Sequence, residues 1–158
     1  MKKGAKKFLV FISCLLLVYL AAGIGSYFTA TETKSAWYES IRPSLTPPNW
    51  VFPIVWNILF FLIVCSLYFS LMSAKKKNIK LKIYTLFGFN FILNILWSFF
   101  YFYLRNVLVA YFDLILLLGS IAMLISFTWK VNRKSAWLLV PYLIWVSFAG
   151  ILNFLSLF

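Results

Sequence analysis

Five long apolar runs constrain this sequence more than any other feature, because each must be kept from water along its whole length. They cover residues 8–28, 48–73, 79–104, 107–129 and 135–158. Each holds about 20 residues or more, enough for a helix to cross a hydrocarbon layer of roughly 30 Å. Lipid offers no partner to an unpaired backbone group, so the spanning segments must be helical. The runs predict an all-α membrane protein, a five-helix transmembrane bundle that forms a single domain over residues 1–158.

The composition agrees with burial in lipid rather than in a water-soluble core. Hydrophobic residues make up 64% of the chain and charged residues only 11%, whereas a soluble domain is about half apolar and a quarter charged. The first run follows a lysine cluster, as a signal peptide does. It is long for that role, however, and Ala21-Ala22-Gly23 is a poor cleavage context. We therefore expect it to be a retained first helix.

The basic residues form short clusters between the apolar runs. Lysine and arginine number 15 against three acidic residues, an excess that in another arrangement would favour nucleic acid. Twelve of these cations would share one membrane face: Lys2, Lys3, Lys6, Lys7, Lys75, Lys76, Lys77, Lys80, Lys82, Lys130, Arg133 and Lys134. The positive-inside rule then places the N-terminus inside and the C-terminus outside, in a prokaryotic cell membrane. We expect contacts with membrane lipid and no nucleic-acid partner.

The sequence is poor in groups that perform ordinary catalysis. It contains no histidine, which removes the commonest metal ligand and general base, so we expect no metal site and no cofactor. Asp113 is the single acid inside an apolar run, and we expect it to make a structural hydrogen bond rather than to relay protons. Cys14 and Cys65 are interpreted as small buried hydrophobic residues.

Polar and aromatic residues recur at helical spacing within the runs. Asn90, Asn94, Trp97 and Tyr101 fall on one face of the third helix, which should point into the bundle, with interhelical hydrogen bonding as the first expectation for the asparagines. The pair Trp56 and Phe60 and the set Tyr142, Trp145 and Ala149 form similar stripes. Such stripes are more often packing than a binding site. An aromatic-walled cavity would nevertheless suit a flat, apolar ligand.

Prolines mark the start of the second helix and the interior of two helices. Thr46 is a plausible N-cap, with Pro47 and Pro48 in the first turn. Pro53 and Pro141 would lie inside helices, where each bends the helix and can open space for a ligand. The first loop, about Thr29 to Pro47, is the longest and would form a lid at one mouth of the bundle.

In order and spacing, these pieces resemble the tryptophan-rich sensory protein and translocator protein (TspO/MBR) family, once called peripheral benzodiazepine receptors. The resemblance covers nearly the whole chain. Its landmarks are Trp37, Pro43-Ser44-Leu45-Thr46-Pro47-Pro48-Asn49-Trp50-Val51-Phe52, Trp56, Leu93-Asn94-Ile95-Leu96-Trp97, Ala110-Tyr111-Phe112-Asp113-Leu114 and Pro141-Tyr142-Leu143-Ile144-Trp145.

The resemblance implies a compact homodimer that binds porphyrins, such as protoporphyrin or haem-type tetrapyrroles, in a pocket under the first loop. The implied ligand-binding positions are Tyr38, Trp56, Phe60, Asn94, Trp97, Trp145 and Ala149. Trp56 and Trp145 match the two tryptophans implicated in light-dependent breakdown of protoporphyrin in some bacterial relatives. A receptor or carrier is the first hypothesis and an enzyme acting on porphyrin through these tryptophans is the alternative, so whether the chain is an enzyme stays open.

Other classes are less well supported. An assembly subunit without a ligand would need Trp56 and Trp145 only for stability, and an ion-coupled transporter is disfavoured by a single intramembrane acid. The chain also departs from the family, because Leu45 stands where tryptophan is usual and the pair Pro53-Ile54 shifts the expected kink. Gly88 on the third helix would allow the close approach of a dimer partner.

Overall fold

A computed structural model describes residues 3–30 and 32–158, in which all regular secondary structure is helical. Lys2 of the N-terminal cluster lies outside these residues. The elements are α1 (Lys3–Ala30), a 3-10 turn (Glu32–Lys34), α2 (Ala36–Ile41), α3 (Val51–Ser73), α4 (Lys77–Ser98), a π-helical turn (Phe99–Tyr103), α5 (Val107–Val131) and α6 (Arg133–Leu155).

The five long helices pack as a closed ring. Each helix contacts two main neighbours, in the order α1, α3, α6, α5, α4 and back to α1, and the most extensive contact joins α5 to α6. All five are long and apolar enough to cross a membrane. The predicted fold class, an all-α five-helix membrane bundle, is confirmed.

The two ends of the ring differ in content. At the lysine-rich end, defined by the start of α1 and the α3–α4 and α5–α6 connections, the helices meet in a close-packed core. Its buried members include Ile63, Leu67, Ile83, Leu117, Leu124 and Leu139. At the opposite end, the loop end, α1 is joined to α3 by residues 31–50 and the centre of the ring is open. The cavity described below therefore has a solid floor of side chains.

The polar face predicted for the third helix is confirmed as a set of interhelical hydrogen bonds. The amide of Asn90 donates to the Ser120 hydroxyl at 2.8 Å, and the Tyr142 hydroxyl donates to Asn90 Oδ1 at 3.2 Å. The Tyr142 hydroxyl also accepts from Asn94 Nδ2 at 3.3 Å. These bonds join α4 to α5 and α6, and Asn90, Ser120 and Tyr142 are buried.

The second long helix begins later than the sequence predicted. Its first helical residue is Val51 with Trp50 at the N-cap, so Thr46 is not the cap and Pro47 and Pro48 are not in the first turn. The reason is steric, since a residue that precedes proline is driven out of the helical region. The chain instead turns before the helix, with the Val51 amide donating to the Pro48 carbonyl at 2.9 Å.

The two prolines expected inside helices occupy different positions. Pro53 is the third residue of α3, in the first turn, where its missing N–H breaks no helical bond, so the prediction of an interior kink there is wrong. Pro141 does lie inside α6, as predicted. The third helix also departs from a single continuous α-helix, because its last five residues, Phe99–Tyr103, form the π-helical turn.

Asp113 differs from expectation in its bonding. Its side chain is buried in α5 with 6% exposure, and its Oδ2 atom has no hydrogen-bond partner among the described residues. The structural hydrogen bond predicted from sequence is therefore not formed at this oxygen. Of the cysteines, Cys14 is buried and Cys65 half-buried, and both are free thiols.

Candidate functional site

A cavity of about 660 Å³ opens at the loop end of the bundle. Its wall is built from α1, α3, the end of α4 with the π-helical turn, α6, and the loop that joins α1 to α3, while α5 contributes no lining residue. This volume is in the range of roughly 300–1,000 Å³ that is usual for small-molecule sites. The cavity is therefore large enough for a flat, multi-ring ligand.

Two stacked aromatic pairs line the cavity, one on each of the two helices that neighbour α1. On α3 the rings of Trp56 and Phe60 lie 5.2 Å apart at an interplanar angle of 27°, and on the α4 side Trp97 and Tyr101 lie 5.4 Å apart at 29°. All four side chains line the cavity. Because α3 and α4 are the two ring neighbours of α1, the pairs present flat apolar surface from two directions.

Amide groups give the wall a small polar component. Asn94 lines the cavity one turn before Trp97 on α4 and is hydrogen-bonded to Tyr142. Asn153 on α6 also lines the cavity. It accepts from Trp97 Nε1 at 3.0 Å and donates to the Val107 carbonyl at 3.0 Å. These bonds fix the indole of Trp97, so the wall is ordered before any ligand arrives.

Six of the seven residues predicted from sequence meet at this cavity. Tyr38, Trp56, Phe60, Asn94, Trp97 and Ala149 are among its lining residues. Trp145 is placed one layer back, with its ring 5.8 Å from that of Phe52, which does line the cavity. Its Nε1 atom is buried without a partner among the described residues. Trp56 and Trp145 therefore have different access to the cavity.

The side of the cavity formed by α1 was not anticipated from the sequence. Small residues line it, namely Ala22, Gly23, Gly25, Ser26, Thr29 and Ala30. A Cβ atom added to Gly25 would lie 3.5 Å from the Ser98 hydroxyl, so α1 and α4 approach closely here. The small residues recur at every third or fourth position of the first apolar run, a pattern that indicates a helix face packed closely against other helices. They leave room that aromatic residues on the other helices partly fill.

The described part of the first loop, residues 32–50, covers the mouth of the cavity and is called the roof loop below. Ser35 caps α2 by accepting from the Tyr38 amide at 3.2 Å, which turns the Tyr38 ring inward against Phe102 at 5.8 Å. Burial raises the pKa of the Tyr38 phenol, and the nearby Arg42 guanidinium only partly opposes this. Tyr38 is therefore a neutral, buried part of the roof.

Two arginines hold the roof loop in shape. Arg42 donates to the Pro47 carbonyl at 2.9 Å and pairs with Glu39 at 3.4 Å. Arg105, in the left-handed conformation at φ 51° after the π-helical turn, pairs with Glu32 at 3.0 Å and lies 5.6 Å from the Trp37 ring centre. The pair of Arg105 with Glu32 joins the roof loop to the connection between α4 and α5.

The chemistry available in the wall is stacking and hydrogen bonding. Within the described ranges, no three histidine, cysteine, aspartate or glutamate side chains come close enough to hold a metal ion. Thr46 lines the cavity, and its hydroxyl oxygen is buried without a partner among the same residues. The arrangement is suited to hold a flat apolar molecule by its faces.

Comparisons with known proteins agree with one another. A model of the TspO/MBR family matches residues 13–157. The tryptophan-rich protein TspO of Chlorobaculum tepidum is 36% identical over 151 residues, which cover 94% of each chain. The protein of the same name from Archaeoglobus fulgidus is 37% identical over 143 residues, 88% of this chain and 90% of its own. The translocator protein of Bos taurus is 31% identical over 145 residues, 88% of this chain and 83% of its own.

Proposed function

The chain belongs to the TspO/MBR family, and from that premise we propose that it is a membrane receptor or carrier for porphyrins such as protoporphyrin IX. The observation that carries the proposal is the cavity under the roof loop, with its stacked pairs Trp56–Phe60 and Trp97–Tyr101. A porphyrin offers two broad π faces, and aromatic side chains stabilise such a surface by offset stacking and by excluding water.

The single-tryptophan variants test the proposal because the two indoles differ in position. Protoporphyrin IX is titrated in the dark into detergent-solubilised protein, and tryptophan fluorescence is followed. We expect Trp56→Phe to weaken binding about three- to tenfold, since it removes part of a cavity wall. Trp145→Phe should bind with nearly wild-type affinity, because Trp145 does not line the cavity.

Trp137→Phe provides the matched control for these titrations. Trp137 lies near the lysine-rich end of α6 with 61% exposure, far along the helix from Ala149. Its loss should lower the total fluorescence and leave the affinity unchanged. Absence of saturable quenching in the wild-type protein, or equal affinities for wild type and Trp56→Phe, would remove the porphyrin assignment.

The alternative function is an enzyme that degrades protoporphyrin with light and oxygen through tryptophan. The placement of Trp56 in the wall is the observation in its favour. The position of Trp145 is less favourable, because this indole is not among the residues that line the cavity. Illumination of the bound complex in air distinguishes the two functions. Loss of porphyrin absorbance that requires Trp56 would support the enzyme, and stable absorbance would support the receptor.

The charge distribution supports an orientation within the membrane. The cations of the lysine-rich end that belong to the described residues fall on the side opposite the roof loop. By the positive-inside rule this end faces the cytoplasm of a prokaryotic cell, with the N-terminus inside and the C-terminus outside. The cavity mouth would then face the exterior, and a ligand would enter from that side or from the outer leaflet of the lipid.

A homodimer is the proposed assembly, with α4 as its interface. The inward face of α4 carries Asn90, Asn94 and Trp97, which are engaged within the bundle. Gly88 lies on a different face, and a Cβ atom added there would meet no atom within 4 Å. Its outward neighbours Tyr84 and Ile92 are exposed. A glycine on such a surface allows two helices to approach closely.

Gly88→Leu is expected to shift the protein from dimer to monomer while the bundle stays folded. The added side chain has open space within its own chain but would separate two α4 helices that pack at this position. The measurement is molar mass by light scattering of the detergent-solubilised protein. Gly119→Leu, at an exposed glycine of α5 that likewise has no neighbour within 4 Å, is the control. An unchanged dimer in Gly88→Leu would exclude α4 as the interface.

A further inference from the structure

The mouth of the cavity carries one positive charge, whereas the rest of the cavity wall is neutral. Lys34, at the end of the 3-10 turn, is the single charged side chain among the described residues that line the cavity. It is exposed to solvent. The remaining lining groups are aromatic, aliphatic, hydroxyl and amide. The site therefore has an apolar interior and a positive potential at its outer end.

The other charges near the roof loop already have partners. Arg42 pairs with Glu39, and Arg105 pairs with Glu32. The sequence has only three acidic residues, and the third is Asp113, which is buried in α5 and does not line the cavity. Within residues 3–30 and 32–158 Lys34 forms no salt bridge with a carboxylate. Its ammonium is therefore available to an anion of the ligand or of the solvent.

We propose that the cavity selects flat apolar ligands that carry a carboxylate at one edge, with Lys34 as the electrostatic partner of that group. The inference rests on the proposed function and specifies how the ligand is oriented. The apolar rings would lie between Trp56 and Trp97, and the carboxylate edge would remain at the mouth. A carboxylate is costly to transfer into an apolar interior, so only this orientation leaves it hydrated and near a cation.

Protoporphyrin IX and its dimethyl ester separate charge from shape, because they share the macrocycle and differ in the two carboxylates. Both are titrated in the dark, in a neutral detergent, into wild type, Lys34→Gln and Lys34→Glu. We expect Lys34→Gln to weaken binding of the diacid about threefold and Lys34→Glu about tenfold, since an exposed ion pair is a modest interaction. Binding of the ester should be unchanged in Lys34→Gln.

Each ligand is compared only across the proteins, so its partition into micelles cancels. Lys75→Gln, an exposed lysine at the lysine-rich end, is the matched control and should leave both affinities unchanged. The effect on the diacid should shrink in about 1 M salt, where the screening length falls to roughly 3 Å.

The outcomes distinguish this inference from the function on which it rests. Saturable binding of both ligands with equal responses to Lys34→Gln would overturn the selection for a carboxylate and leave porphyrin binding intact. Unchanged affinity of the diacid in Lys34→Glu would do the same. If neither ligand bound the wild-type protein saturably, both the porphyrin assignment and the role of Lys34 would be wrong.

Discussion

Replacing Ala149 with tryptophan is expected to abolish saturable binding of protoporphyrin, because the new indole would occupy the space that the ligand needs. Ala149 lines the cavity from α6, together with the aromatic pairs of α3 and α4. The walls around it are held by hydrogen bonds, including that from Trp97 to Asn153, and so cannot easily move outward. We expect affinity to fall at least tenfold, equivalent to about 1.4 kcal/mol or more.

The control for this experiment adds the same side chain to the same helix on its outer surface. Ile144 is 65% exposed, and Ile144→Trp would place the indole toward lipid without entering the cavity. Both variants contain one additional tryptophan, so their fluorescence baselines are comparable. Circular dichroism and elution volume confirm that each is folded. Wild-type affinity in folded Ala149→Trp would show that the porphyrin binds somewhere other than this cavity.

Replacing Gly150 with leucine is expected to destabilise the bundle by overpacking the contact between α5 and α6. Gly150 is buried against α5, and a Cβ atom built on it would lie only 3.0 Å from Leu114 Cδ2. A leucine side chain extends well beyond Cβ, so the two most extensively packed helices of the ring would have to separate. Overpacking of this kind costs about 1–3 kcal/mol, and the thermal midpoint should fall accordingly.

Gly119→Leu distinguishes overpacking from the general effect of losing a glycine. Gly119 is exposed on α5, and a Cβ atom added there meets nothing within 4 Å. Leucine has a higher helix propensity than glycine, so this variant should be as stable as wild type or slightly more stable. Thermal unfolding of both variants in the same detergent is the measurement. Equal midpoints for Gly150→Leu and wild type would mean that α5 and α6 are less closely packed than described.

The positions of the spanning helices follow from the sequence alone because lipid imposes a simple rule. A run of about 20 apolar residues must be helical, and the lysine clusters mark the ends of the runs at one face of the membrane. The inward face of the third helix was also predictable, since the spacing of Asn90, Asn94 and Trp97 places polar groups where only other helices can satisfy them. The length of each apolar run and the spacing of its polar residues are thus enough to predict the spanning helices and the inward face of the third.

The boundaries near prolines were less predictable. The sequence Thr46-Pro47-Pro48 is consistent with a helix start, yet the backbone turns and the helix begins at Val51. Consecutive prolines disfavour a helix at Thr46 and Pro47 for steric reasons. The turn that forms instead is also held by contacts of the roof loop. Arg42 donates to the Pro47 carbonyl, and Arg105 pairs with Glu32. Glu32 and Arg105 are far apart in the sequence, so only the folded chain brings them together.

The cavity itself depends on the packing order of the helices, which the individual runs do not specify. Five of the predicted positions came together because α3, α4 and α6 surround the same space as α1, and the sixth, Tyr38, reaches it from α2 in the roof loop. Trp145 is not among the lining residues, and its ring packs instead against that of Phe52 at the start of α3. Helical spacing thus determined which residues of one helix point the same way. Only the tertiary structure decided which faces meet, because contacts between helices depend on the shapes of side chains far apart in the chain.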